Sequence, residues 1–247
     1  MKDGVNSEWF TDWFDSPFYH ALYKKRNESE AGFFIDNLLE RLKLPAGSKI
    51  ADIACGKGRH AIYLNKKGFD VTGIDISESS IIAAKKQENE TLHFALHDMR
   101  STFITNYFDA ALNLFTSFGY FKTEHENELA VRTLALAVKK NGIVVIDFLN
   151  ATTVLKNLVN LEEKCIEGIT FKIKKLVAGK RLVKEIDFQS EGRPFHFVES
   201  VQLLNLIDFE NYFKHTGLKT VHLFGDYSLQ PFQPEFSDRL IIVGQKL

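Results

Sequence analysis

Apolar residues recur at two different spacings along this chain, and the spacing changes twice. Residues 8–26 are rich in aromatics, with Trp9/Trp13, Phe10/Phe14 and Phe14/Phe18 four apart, which predicts short helices with one apolar face. Pro17 breaks that pattern and restarts it. A longer helix is expected over 29–42, carried by Phe33, Phe34, Ile35, Leu38, Leu39 and Leu42 and stopped by Pro45-Ala46-Gly47. Short apolar runs then alternate with helical periodicity. Strands are expected at 49–54, 69–75, 91–96, 108–114 and 143–148. The intervening helices are expected at 59–67, 77–88 and 124–139, the second capped by Ser77 and the third closed by Asn141-Gly142. Strands alternating with helices imply a parallel, doubly wound α/β sheet with right-handed crossovers.

Beyond residue 150 the period changes to strict alternation. The stretches 169–176, 181–188 and 195–204 read as antiparallel strands joined by Ala178-Gly179-Lys180 and Glu191-Gly192-Arg193-Pro194. A helix at 207–215 ending at Gly217, then strands at 218–224 and 239–246 around a turn-rich loop, complete the pattern. The whole reads as one domain, 1–247, with an aromatic N-terminal segment, 1–28, and an antiparallel elaboration, 160–204. No repeat and no long linker interrupts it.

Composition narrows the function classes. Of 247 residues, 45% are hydrophobic and 26% charged, ordinary for a globular protein with a substantial core. The formal net charge of -1 supplies no global basic field, so a nucleic-acid partner is not expected. No run approaches the roughly 18 apolar residues that would span a membrane. Met1-Lys2-Asp3-Gly4 does not open a signal-peptide core. Cys55 and Cys165, far apart, form neither a disulfide framework nor a zinc motif, so a reducing, cytoplasmic setting and no metal are expected.

The chemistry concentrates at the ends of the first three expected strands. Asp52-Ile53-Ala54-Cys55-Gly56-Lys57-Gly58 turns from a strand into a helix, and its glycines let a ligand approach the backbone. Gly56 to Ala61 fits G-x-G-x-x-A, which also suits a dinucleotide. An acid ends each neighbouring run: Asp52, Asp75 and, just past the third strand, Asp98. Asp52 before the glycine turn suits a ligand with an ammonium group better than one with a pyrophosphate.

These residues resemble the class I S-adenosylmethionine-dependent methyltransferases, with Ala54 where the family's first glycine usually stands. The resemblance implies a Rossmann-like sheet with a terminal reversed hairpin. It also implies S-adenosyl-L-methionine as cofactor, with S-adenosyl-L-homocysteine as product. Asp52 and the backbone of Ala54, Gly56 and Gly58 would sit near the methionine moiety, Asp75 on the ribose hydroxyls and Ile76 against the adenine. Asp98 would accept from the adenine amino group, Met99 would pack on the ring, and Leu114 would end the fourth motif where the acceptor pocket begins. Tyr19, Tyr23 and Arg26 resemble a segment that small-molecule methyltransferases fold over the site, with Tyr19 or Arg26 facing the cofactor carboxylate; a simple packing cap is the other reading.

In Leu114-Phe115-Thr116-Ser117-Phe118-Gly119-Tyr120-Phe121, Phe118 and Tyr120 are expected to wall the acceptor, with Thr116 or Ser117 hydrogen-bonding it. The segment lacks the Asn/Asp-Pro-Pro-aromatic pattern that resembles DNA adenine methyltransferases. Lys172, Lys174, Lys175, Lys180, Arg181 and Lys184 either attract an acidic acceptor or form a solvated sheet face. His93, His97, His196, His215 and His222 lack metal-ligand spacing, and nothing singles out His20 or His125 as a base. The expected activity is methyl transfer to a small molecule at N, O or S. A nicotinamide-dependent oxidoreductase using the same turn, and a cofactor-binding protein without turnover, remain as alternatives.

Overall fold

A computed structural model of the chain describes residues 9–23 and 28–247, so Arg26 lies outside the described residues. Two short helices, α1 (Trp9–Phe14) and α2 (Pro17–Leu22), precede α3 (Glu28–Leu42). Ser16 caps α2 and Pro17 opens it, which is why the aromatic run divides there. Then follow β1 (Lys49–Ile53), α4 (Arg59–Lys66), β2 (Asp70–Asp75), α5 (Glu78–Lys85), β3 (Leu92–Leu96), β4 (Phe108–Asn113), α6 (Glu124–Ala137) and β5 (Val138–Leu149). After a short α7 (Ala151–Lys156) come β6 (Leu161–Ile166), β7 (Ile169–Ala178), β8 (Arg181–Ser190) and β9 (Arg193–Gln202). The chain closes with α8 (Leu206–His215), β10 (Leu218–Phe224) and β11 (Arg239–Lys246).

Seven strands form one sheet in the order β10-β11-β5-β4-β1-β2-β3. β1 to β5 pair in parallel and β11 enters antiparallel beside β5, so the terminal hairpin is reversed as expected. β1, β4, β5 and β11 are buried on both faces, which is why they read as continuous apolar runs. One core cluster lies against α6 and α8 and another against α3, α4 and α5. The strand order reverses between β1 and β4, which sets the crevice of such sheets at the carboxyl ends of those strands.

Two expectations need correction. The sixth helix stops at Ala137, and Val138 already pairs with Phe108 as strand. The register then jumps to Ala110–Ile143, so Asn141, with φ +63°, forms a bulge inside β5 rather than a helix cap. The helix expected over 77–88 also ends early, at Lys85. β6 and α7 were not expected.

The four antiparallel strands β6 to β9 form a second sheet. One end of its apolar face, Leu182 and Val201, joins the core of the large sheet. The rest of that face packs on the N-terminal helices, with Trp13, Leu22, Phe171, Ile173, Ile186 and Phe188 forming a third core. Phe188 stacks on Phe195 at 5.2 Å, and Phe18 lies 4.7 Å from each ring. The aromatics of the first helices therefore serve one sheet with one face and the carboxyl edge of the other sheet with the opposite face.

Candidate functional site

The turn after β1 carries the first piece of the site. Ala54 has φ +60° and Gly56 φ +55°. A left-handed alanine costs about 1–2 kcal/mol, and this one persists because its neighbours fix it. Cys55 N–H donates to Ile74 O at 3.0 Å, tying the turn to β2. A side chain on Gly56 would meet nothing within 4 Å, because that position faces open space. Asp75 then locks the turn from the end of β2. Its Oδ2 accepts from Gly56 N–H at 2.7 Å and its Oδ1 from Ser77 N–H at 2.8 Å. Burial pushes the Asp75 carboxyl above its usual range, and the N–H donors of Ser77, Gly56 and Ile76 oppose that push.

The third acid, Asp98, is gripped by Arg100, whose Nε lies 3.0 Å from Oδ2 and whose backbone N–H lies 2.8 Å from Oδ1. Burial raises the Asp98 carboxyl, but the Arg100 bonds and charge outweigh it and the net shift is downward.

Asp75, Asp98, Ala54, Gly56, Ile76 and Met99 line one cleft of about 820 Å³ at the carboxyl edge of the sheet. Phe10, Phe14, Tyr19 and His20 roof it from the N-terminal helices. Asp15 fastens that roof, accepting from Ser77 Oγ at 2.6 Å and Ser79 N–H at 3.0 Å, and these bonds hold its carboxyl below the usual range. Glu199 fastens the other side from β9. It accepts from Trp13 Nε1 at 2.7 Å, Tyr23 OH at 2.6 Å and Lys184 Nζ at 3.0 Å. Burial raises the Glu199 carboxyl, and the Lys184 charge with the two aromatic donors brings it net below normal.

Four residues expected at the ligand do not line the cleft. Asp52, 1% exposed, points behind the turn and accepts from Ala61 N–H at 3.0 Å, in the first turn of α4. Burial and the neighbouring Asp75 charge push Asp52 up to about 7, while the Ala61 bond and Arg59 pull down. Gly58, φ +82°, faces the core: an added Cβ would sit 2.5 Å from the Phe94 ring. The start of α4 against β3 leaves no room there for a side chain. Leu114 is buried in the α3–α5 core, and Phe118 is buried against Phe209 and Phe121. Tyr120, two residues on, does line the cleft.

A second cavity of about 1210 Å³ adjoins the first. Phe14, Tyr19, Thr116 and Tyr120 line both. Leu149, Leu158 and Val201 give it an apolar wall, and Lys175, Lys184, Glu199, Asp238 and Arg239 give it charge. The basic residues of the small sheet are mostly paired: Lys175 with Glu162 at 2.8 Å, Lys174 with Glu185 at 3.0 Å and Lys184 with Glu199 at 3.0 Å. Arg181 is a clamp, donating to Phe121 O at 2.9 Å, Tyr120 O at 3.1 Å and Ser200 Oγ at 2.7 Å.

Comparison with known proteins shows what the chain is similar to. A model described as "Methyltransferase domain" matches residues 50–142. An N,N-dimethyltransferase for dTDP-3-amino-3,4,6-trideoxy-alpha-D-glucopyranose from Streptomyces venezuelae is 33% identical over 133 residues, 52% of this chain and 54% of that protein. The crystal structure of Streptomyces venezuelae DesVI superposes with a TM-score of 0.69 at 26% identity, covering 93% of this chain and 97% of that one. Residues 50–142 are thus similar to a methyltransferase domain. A glycine/sarcosine N-methyltransferase from Aphanothece halophytica is a further similar protein, 25% identical over 90% of this chain and 83% of its own. The chain spans about half the length of the first curated relatives it matches.

The matched stretch holds the turn and all three acids, whereas the roof, the small sheet and most of the second cavity's lining lie outside it. Sequence reasoning missed Asp15, His20, Ser77 and Arg239 as parts of the site. Asp147 carried a readable signal, a lone acid inside the apolar run Val144-Val145-Ile146-Asp147-Phe148. It is fully buried and pairs with Arg239 Nη2 at 2.7 Å.

Proposed function

We propose that this chain transfers a methyl group from S-adenosyl-L-methionine to a small-molecule acceptor, with an amine as the favoured acceptor class. The observation that carries the reading is the meeting of two cavities across Phe14, Tyr19, Thr116 and Tyr120. One cavity has acids on its strand tips and the other mixes apolar and charged walls.

The residues of the first cleft suit the cofactor. Each Asp75 oxygen spends one lone pair on a backbone N–H and keeps another for a ribose hydroxyl. Ile76 and Met99 offer apolar faces to an adenine, and Asp98 an acceptor to its amino group. Ala54 and Gly56 face the methionine end. His20 Nε2 is buried without a partner among the described residues, and a polar group of the cofactor satisfies it. Burial pulls the His20 pKa down, so this imidazole is neutral and takes no part as a cation. When bound, S-adenosyl-L-methionine supplies an electrophilic methyl on a sulfonium. The protein's share is orientation and exclusion of water. Tyr19 and the aromatic roof of α1 and α2 exclude water as a lid, and the 160–204 elaboration closes the acceptor side.

Amine acceptors are favoured because the names of the similar sugar and glycine/sarcosine enzymes specify N-methyl transfer. A roofed cavity suits a metabolite better than a nucleic acid or a protein chain. The two separate free cysteines suit a cytoplasmic setting. No described helix is long and apolar enough to cross a membrane. The test is a labelled-methyl screen against amino-sugar nucleotides, glycine, sarcosine, simple amines, hydroxyls and thiols. Label is expected in an amine. A protein that binds S-adenosyl-L-homocysteine tightly yet labels none of these classes contradicts the reading.

A further inference from the structure

The loop after β4 carries the most strained backbone at the junction of the two cavities. Phe115 has φ +58° and Thr116 φ +60°, two consecutive side-chain-bearing residues in the left-handed region. For a β-branched residue such as threonine this is a rare and costly conformation, kept only where surrounding bonds dictate it. Those bonds are on hand. Fully buried Asp147 accepts from Phe115 N–H at 2.7 Å through Oδ2, and its backbone oxygen accepts from Thr116 N–H at 3.0 Å. Arg239 Nε donates to Asp147 Oδ1 at 2.8 Å, and Arg239 Nη2 donates to Thr116 Oγ1 at 2.9 Å. Tyr120 OH closes the loop on Thr116 O at 2.6 Å.

This network fixes the Thr116 hydroxyl while leaving part of it unused. One lone pair of Oγ1 is taken by Arg239. The second lone pair and the hydroxyl hydrogen have no partner among the described residues, and the side chain lies on the wall common to both cavities. A methyl group passing from one cavity to the other crosses that wall.

We propose that Thr116 is the hydrogen-bonding group at the transfer point, accepting an N–H of the acceptor through its free lone pair and so aiming the acceptor's own lone pair at the methyl carbon. Arg239 and Asp147 are positioning residues that act through it. Thr116 takes up no proton and forms no covalent bond; an oxygen already bonded to a guanidinium is a poor base. The inference rests on the cofactor reading given above.

Sinefungin tests it without an identified acceptor. It carries an ammonium-bearing carbon where the cofactor has its methylated sulfonium, and S-adenosyl-L-homocysteine has only a thioether there. Calorimetry on the full chain is expected to show sinefungin binding at least about tenfold tighter than S-adenosyl-L-homocysteine, as a charge-assisted hydrogen bond supplies. In Thr116→Val the preference falls to within about threefold while S-adenosyl-L-homocysteine affinity stays. Thr116→Ser restores the preference. Thr116→Ala, which relaxes the crowded left-handed backbone, loses it as valine does and provides the comparison if the valine protein does not hold its fold. Equal binding of the two ligands by the unaltered protein, or a preference that survives both Thr116→Val and Thr116→Ala, overturns the assignment of Thr116 alone. Failure of the unaltered protein to bind either ligand overturns the cofactor reading and this inference with it.

Discussion

Asp75→Asn separates the bracing of the turn by this carboxylate from its proposed hold on the ribose. Alanine would orphan both Gly56 N–H and Ser77 N–H and collapse the turn, so a loss of binding would carry no message about the ribose. Asparagine keeps the shape and one acceptor oxygen. Its amide can satisfy either Gly56 N–H or Ser77 N–H, while its NH₂ confronts the other. The lost backbone bond costs about 1–3 kcal/mol of stability, but removing a buried charge offsets part of it, so the net loss stays under about 2 kcal/mol. Binding suffers more. Both ribose hydroxyls lose a charged acceptor, at about 1–2 kcal/mol each, the difference between a charged and a neutral hydrogen bond. The expected sum of about 2–4 kcal/mol weakens S-adenosyl-L-homocysteine binding by about 30- to 1000-fold. Titration calorimetry alongside thermal unfolding checks this. A folded Asp75→Asn protein whose affinity lies within threefold of the original refutes the reasoning, because the ribose would then be held elsewhere.

Other consequences follow from the same geometry. Ala54→Gly relieves a left-handed alanine worth about 1–2 kcal/mol against about 0.4–1 kcal/mol of added unfolded-state freedom, so thermal unfolding is expected to shift up by an equivalent of about 0.5–1 kcal/mol; a lower melting temperature contradicts it. Asp15→Ala removes the Ser77 and Ser79 bonds of the roof, and limited proteolysis is expected to cut within the first two helices faster, with faster dissociation of S-adenosyl-L-homocysteine; an unchanged digestion pattern counts against the fastening role. Asp52 has its folded pKa raised by burial to about 7, above the ordinary carboxylate range near 3.8, so its contribution to stability is fully present below about pH 4 and is lost as pH rises through about 7. Asp52→Asn keeps an acceptor for Ala61 N–H and is expected to lack that decline, so the variant gains on the original protein between pH 4 and 8 in denaturant melts; parallel pH profiles would contradict this.

Much of the sheet was legible because burial on both faces writes itself as apolar runs, and β10 and β11 begin and end at the expected residues. The strand tips were legible for the same reason, so Asp75, Asp98 and Met99 fall on the cleft. What periodicity does not convey is which side of a tip a side chain takes. Asp52 sits inside β1, one residue before its end, and points at α4 instead of the cleft. Phe118 and Tyr120 are two apart and were expected on one wall, but Gly119 at φ +80° turns the loop between them, sending Phe118 into the core. Long-range fasteners such as Asp15 to Ser77 and Trp13 to Glu199 link segments that no local pattern joins.

The most direct measurement of the account is a pair of calorimetric titrations of the unaltered protein, with S-adenosyl-L-homocysteine and with NADH. One molecule of S-adenosyl-L-homocysteine per chain and no heat from NADH is the predicted result. Saturable binding of NADH with none of S-adenosyl-L-homocysteine would contradict it.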